Sequence, residues 1–100
     1  MTASLTDIRP SPIAGRWYAN NPQRLARSID EFIANAVVPT IDGRVVGILA
    51  PHAGHAYSGP VAGHAFRFVQ DMEIDVVALI GPSHHFYSTA IVTAKHDAYQ

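Results

Sequence analysis

The sequence of 100 residues contains no cysteine, which excludes disulfides and thiolate metal sites within this chain. A reducing cytosol is therefore allowed without being required. The chain also lacks an excess of either charge: 7 Lys and Arg stand against 8 Asp and Glu, for a formal net charge of −1 at pH 7. No basic cluster marks a nucleic-acid partner or an anionic membrane surface, and neither is expected.

Long hydrophobic runs are missing as well. No window approaches the roughly 18 uninterrupted apolar residues that a membrane-spanning helix needs. Residues 1–7 contain no basic segment followed by an apolar stretch, so they do not resemble a signal peptide. The default expectation is a cytoplasmic protein.

The composition is otherwise that of a globular domain, with 48% hydrophobic and 15% charged residues. Continuous apolar runs at 45–50 and 74–80 predict two strands buried on both faces, as in a parallel sheet. Between them, Ser58 is a predicted cap and Pro60 the first residue of a helix that runs to about Gln70. A third short strand is predicted over 88–94.

A helix is also predicted before the first strand. Asn21 is a good N-cap, Pro22 suits the first helical position, and an apolar stripe follows at spacings of three and four. This stripe consists of Leu25, Ile29, Phe32 and Ile33. Val38 and Pro39 are expected to end the helix, and the aromatic residues Trp17 and Tyr18 to dock from an irregular segment over 8–20.

The predicted fold class is thus α/β, a mostly parallel sheet with flanking helices. Two helices cannot cover both faces of three strands. We therefore expect residues 1–100 to form the N-terminal part of a longer, apparently truncated single domain.

Histidine-bearing motifs follow both main predicted strands. Pro51-His52-Ala53-Gly54 comes after the first, and Gly81-Pro82-Ser83-His84-His85 after the second. Ligands of open parallel sheets bind where the chain leaves the carboxyl ends of the strands, and imidazole is the commonest protein metal ligand. This placement favours His52 and His84 as ligands of a shared polar or metal site.

Two histidines are an incomplete set, since a firm iron or zinc site usually takes roughly three protein ligands or more. Either Asp97 bends back to serve, or a third ligand lies beyond residue 100. His55 and His85 are better placed as pocket walls or proton donors, while His64 and His96 are expected to be solvated or bonded to backbone. Ser83 has no identified acid partner for its neighbouring imidazoles, which disfavours serine hydrolysis.

Three motifs in order carry a family resemblance. Residues 14–18 (Ala-Gly-Arg-Trp-Tyr), the segment 51–59 with its Pro-His-Ala-Gly and Tyr-Ser-Gly, and residues 81–85 together resemble the MEMO family, whose prokaryotic members are called AmmeMemoRadiSam system protein B. The resemblance covers nearly the whole chain. It implies a fold similar to that of the extradiol-type, class III non-haem iron dioxygenases, with the metal at the strand ends.

The resemblance also implies site roles. The family's two motif histidines fall on His52 and His84 as metal ligands, while its cysteine and its aspartate-histidine pair have no counterpart within this chain. Iron is the implied metal, with copper or zinc as alternatives. His55 departs from the tyrosine that usually follows the motif glycine, which leaves the pocket's proton chemistry open between His55 and His85.

Two functions are compatible with these implications. The first is a metal-binding, dioxygenase-like protein with oxygen-dependent redox chemistry in its full-length form, although its status as an enzyme is left open. The second is a non-catalytic adaptor whose crevice holds a peptide or protein. The family's names imply a radical-SAM protein and an AMMECR-type domain protein as partners.

Overall fold

A computed structural model describes residues 4–100 of the chain. These divide into two compact units. Residues 13–73 form one, here called the helical unit, and residues 4–12 with 74–100 form the other, here called the strand unit. Met1, Thr2 and Ala3, which belong to the segment tested for a signal peptide, lie outside the described residues.

The helical unit contains helix α1, Pro22–Asn35, and helix α2, His55–Arg67. The strand unit contains strands β1, Ile8–Arg9, and β2, Ala98–Tyr99. These strands are parallel, with Ile8 opposite Ala98 and Arg9 opposite Tyr99. Two helices with a short parallel sheet agree with the predicted α/β class.

Helix α1 begins as its sequence predicts. Asn21 has an extended backbone, and its side-chain Oδ1 accepts a 2.9 Å hydrogen bond from the backbone N–H of Arg24. Pro22 occupies the first helical position, where its missing N–H costs nothing. Leu25, Phe32 and Ile33 of the predicted stripe are half-buried, whereas Ile29 is 38% exposed.

The two helices approach closely because α2 carries glycine where it meets Phe32. A Cβ added to Gly59 would overlap the Phe32 ring, and one added to Gly63 would overlap the Phe32 carbonyl. Both glycines are buried. The contact between α1 and α2 is therefore specified by two glycines and one aromatic ring.

The predicted start of α2 is wrong. The helix begins at His55 after the cap residue Gly54, so that Pro60 lies inside it, and Ser58 is not its cap. Proline in a helix removes one backbone hydrogen bond. Starting earlier brings Gly59 into the helix that packs on Phe32 and places the N–H of His55 where it donates to the Trp17 carbonyl.

The three longer predicted strands are also wrong. Within residues 4–100 the segments 45–50, 74–80 and 88–94 form no strand, and 45–50 falls in the helical unit while 74–80 falls in the strand unit. Val46, Leu49, Leu79 and Ile80 are each more than 90% exposed. An apolar run predicts burial but does not supply the neighbouring backbone that a strand must pair with.

Strand β1 and strand β2 are held by polar contacts around their ends. The Asp97 carboxylate accepts hydrogen bonds from the backbone N–H groups of Thr6, at 3.3 Å, and Asp7, at 3.1 Å. The N–H of Asp97 donates to the carbonyl of Asp7 at 2.8 Å, and the Arg9 guanidinium lies over the Tyr99 ring. Asp97 thus joins the two strands.

Over residues 4–100, neither helix combines the length and the apolar character needed to cross a membrane.

Candidate functional site

The Trp17 segment forms a tight turn in the helical unit. Gly15 has φ of +81°, a conformation that favours glycine, and its N–H donates a 2.8 Å hydrogen bond to the carbonyl of Tyr18. The N–H groups of Arg16 and Trp17 both donate to the carbonyl of Ile13 at 3.0 Å. These bonds fix the backbone of residues 13–18 and aim the Trp17 carbonyl outward from the turn.

The first histidine motif is attached to this turn. The N–H of His55 donates a 2.8 Å hydrogen bond to the carbonyl of Trp17. From the other side, the hydroxyl of Ser58 donates to the carbonyl of Ala53 at 2.9 Å, with Gly54 O at 3.4 Å. The exposed His52 therefore lies on a loop whose following residues are held by both the turn and α2.

Gly54, the cap residue of α2, lies beside the Trp17 turn. A Cβ at this position would be 3.6 Å from the Trp17 carbonyl oxygen and 3.7 Å from Cδ2 of Tyr57. The side chains of Trp17 and Tyr57 remain 50% and 86% exposed. Two accessible aromatic residues thus flank the loop that carries His52.

His55 is half-buried against two aromatic rings. Its imidazole centroid lies 5.5 Å from that of Tyr18 and 6.4 Å from that of Phe32, in an edge-on arrangement with the latter. Its Nδ1 is buried and has no hydrogen-bond partner among residues 4–100. His55 therefore packs against two aromatic rings while its Nδ1 has no polar partner in the described chain.

The second histidine motif forms a local turn in the strand unit. The Ser83 hydroxyl donates a 2.6 Å hydrogen bond to the carbonyl of His85, and the His85 N–H reaches the same hydroxyl at 3.4 Å. The side chains of His84 and His85 are exposed. Ser83 thus shapes the loop through its contacts with the backbone of His85.

The predicted ligands His52 and His84 fall in different units, the first in the helical unit and the second in the strand unit. Within residues 4–100, no three His, Asp or Glu side chains are grouped so that they could hold a metal ion. Imidazoles on exposed loops are nonetheless the donor type that iron, copper and zinc accept. The chain thus contains imidazoles of a suitable type, but its described residues do not bring three metal-binding side chains together.

The remaining polar candidates have structural contacts. His64 Nδ1 is 2.7 Å from the Pro60 carbonyl oxygen, which confirms its expected bond to backbone. His96 instead pairs with a carboxylate, its Nδ1 lying 2.9 Å from Oδ1 of Asp7. Asp97, considered above as a third ligand, uses its Oδ2 to bind two backbone N–H groups.

Sequence reasoning missed the link between the Trp17 turn and the first histidine motif. It depends on a backbone N–H and a backbone carbonyl, which no residue type reveals. The one sequence signal was Gly15, whose φ of +81° the turn requires.

The motifs joined in this way are those of a known protein family. The model of the Memo-like protein family matches residues 9–100. The chain belongs to the MEMO family. A MEMO1 family protein of Schizosaccharomyces pombe is 33% identical over 88 residues, which cover 88% of this chain and 28% of that protein.

Other MEMO relatives give the same picture. A MEMO1 family protein of Methanopyrus kandleri is 30% identical over 92% of this chain and 35% of its own length. The memo-1 homolog of Caenorhabditis elegans is 37% identical over 76% of this chain and 21% of its own length. The chain therefore spans about a third or less of these relatives, and no solved structure matches it significantly.

Proposed function

We propose that this MEMO-family chain belongs to a metal-binding protein in which His52 and His84 each supply an imidazole ligand. The observation that carries the proposal is the fixed loop of His52. The Ser58 hydroxyl donates to the Ala53 carbonyl, and the Trp17 carbonyl accepts from the N–H of His55. The residues that directly follow the exposed His52 are therefore held in place. A ligand on such a backbone loses little conformational entropy when it binds.

The loop of the second proposed ligand, His84, is held by hydrogen bonds within its own turn. The Ser83 hydroxyl closes a turn around His84 by bonding to the backbone of His85. His84 remains exposed within this turn. Both proposed ligands thus lie on loops shaped by a nearby serine hydroxyl, although the two serines act in separate units.

Iron is the metal we propose, with copper or zinc as alternatives, since imidazole suits all three. A bound iron would supply oxygen-dependent redox chemistry of the kind associated with non-haem dioxygenases. His85, exposed beside His84, can take or give a proton at its ring nitrogens. His55 can do so only from its half-buried ring, where Nδ1 is enclosed.

The metal content of the protein expressed from its complete coding sequence tests the proposal. We expect His52→Ala and His84→Ala, singly and together, to lower the bound metal per protein. His64→Ala is the matched control, because that exposed imidazole bonds to the Pro60 carbonyl within α2. Metal content unchanged in the double variant would contradict the proposal.

A second function is favoured by the aromatic residues beside Gly54. Trp17 and Tyr57 are exposed although both are large, and such side chains are enriched among residues that dominate protein interfaces. An adaptor that binds a peptide or a protein, such as a radical-SAM or AMMECR-type partner, would use them. Partner binding lost in Tyr57→Ala but kept by metal-free protein would support it; metal-dependent oxygen consumption would count against it.

A further inference from the structure

A groove of about 880 Å³ lies in the helical unit, away from the His52 side chain. It is formed by the Trp17 turn, by one side of α1 from Pro22 to Phe32, and by the first turn of α2. Among the residues that the structure describes, its lining includes Arg16, Arg24 and His55 and contains no Asp or Glu. Neither Arg16 nor Arg24 has a role in the metal site proposed above.

The two guanidinium groups have no competing anion. Over residues 4–100, neither Arg16 nor Arg24 has an ion pair or a side-chain hydrogen bond. The groove also includes the start of α1, whose first turn contains no acidic residue, so the positive end of the helix dipole adds to the same field. Positive charge is thus concentrated here without neutralisation.

Another arginine of α1, Arg27, lies on a surface that does contain acidic residues. Arg27 lies in a separate shallow depression along α1, together with Asp30 and Glu31. Two carboxylates therefore line the same depression as this guanidinium, although no ion pair joins them to it among residues 4–100. The absence of acidic residues from the first groove is therefore a local property of that groove and not a general feature of α1.

We propose that this groove binds a small molecule bearing an oxyanion, a phosphate or carboxylate group, through Arg16 and Arg24. Guanidinium is suited to both groups because its planar N–H donors match two oxygens at once. Trp17, half-exposed at the groove, provides an apolar wall for the rest of such a molecule. The proposal is independent of metal binding at His52 and His84.

Inorganic phosphate is the probe for the first test, applied to chelator-treated protein so that phosphate cannot bind through a metal. We expect saturable binding by isothermal titration, weakened roughly tenfold by Arg16→Gln and by Arg24→Gln. Arg27→Gln is the matched control and should leave the affinity unchanged. Absence of saturable binding, or equal weakening by Arg27→Gln, would overturn the proposal.

The second test measures the wild-type protein alone. Phosphate bound in the groove should shift the indole N–H resonance of Trp17 in a labelled wild-type protein, with the same midpoint as the titration. Acetate in place of phosphate tests whether a carboxylate is accepted by the same site. A Trp17 resonance unmoved at phosphate saturation would also overturn the proposal.

Discussion

The backbone N–H of His55 donates a 2.8 Å hydrogen bond to the carbonyl of Trp17. This bond joins the end of the Pro-His-Ala-Gly motif to the Ala-Gly-Arg-Trp-Tyr segment, two stretches separated by more than thirty residues in the sequence. It brings the two motifs together in the structure, since one presents the carbonyl and the other presents the N–H. Ser58 completes the arrangement from α2.

Ser58→Ala should destabilise the protein by about 1 kcal/mol, because it leaves the carbonyl of Ala53 without the hydroxyl that binds it. Ser58 is only 7% exposed, so water replaces the lost partner poorly. Urea unfolding monitored by circular dichroism measures the change. Ser83→Ala is the control, since its exposed turn should lose less; equal losses would contradict the role given to Ser58.

Gly63→Ala should destabilise the contact between α1 and α2. The added methyl group would overlap the Phe32 carbonyl, and such overpacking costs about 1–3 kcal/mol, more than the roughly 1 kcal/mol that alanine gains in a helix. Gly47→Ala is the control, because a Cβ there meets nothing within 4 Å. Thermal unfolding should separate the two, and a Gly63 variant as stable as wild type would show that the helices do not meet as described.

Asn21→Ala should lower the free energy of unfolding by about 1 kcal/mol, because the N–H of Arg24 loses the side-chain oxygen that caps it. Asn35→Ala, at the last residue of the same helix, provides the comparison and should have little effect. Helix content by circular dichroism and urea unfolding report the change. No difference between the two variants would contradict the capping role of Asn21.

The apolar stripe of α1 and its Asn21 cap were predictable from sequence because each depends on residues close together in the chain. The α/β class is also confirmed, although the strands from which it was predicted are not the ones that form. The extent of α2 was not predictable, since Ser58 and Pro60 match a helix start locally, whereas the earlier start depends on contacts distant in sequence: the His55 N–H with the Trp17 carbonyl and Gly59 with Phe32. The runs at 45–50 and 74–80 failed for a related reason, because strand formation depends on a pairing partner distant in sequence.

His55→Phe should leave the free energy of unfolding unchanged or raise it by up to about 1 kcal/mol. The substitution removes a buried ring nitrogen that has no partner in the described chain and keeps a flat ring against Tyr18. His64→Phe should not stabilise, because it removes a bonded nitrogen. A loss of more than about 1 kcal/mol in His55→Phe would indicate that the imidazole is hydrogen-bonded after all.

X-ray absorption at the metal edge, on protein purified from its complete coding sequence, shows whether His52 and His84 bind metal through their imidazole rings. We expect nitrogen scattering at about 2.0–2.1 Å with the multiple-scattering pattern of imidazole, weaker in His52→Ala and in His84→Ala. A spectrum without imidazole scattering, or one that neither substitution alters, would contradict the proposed metal binding.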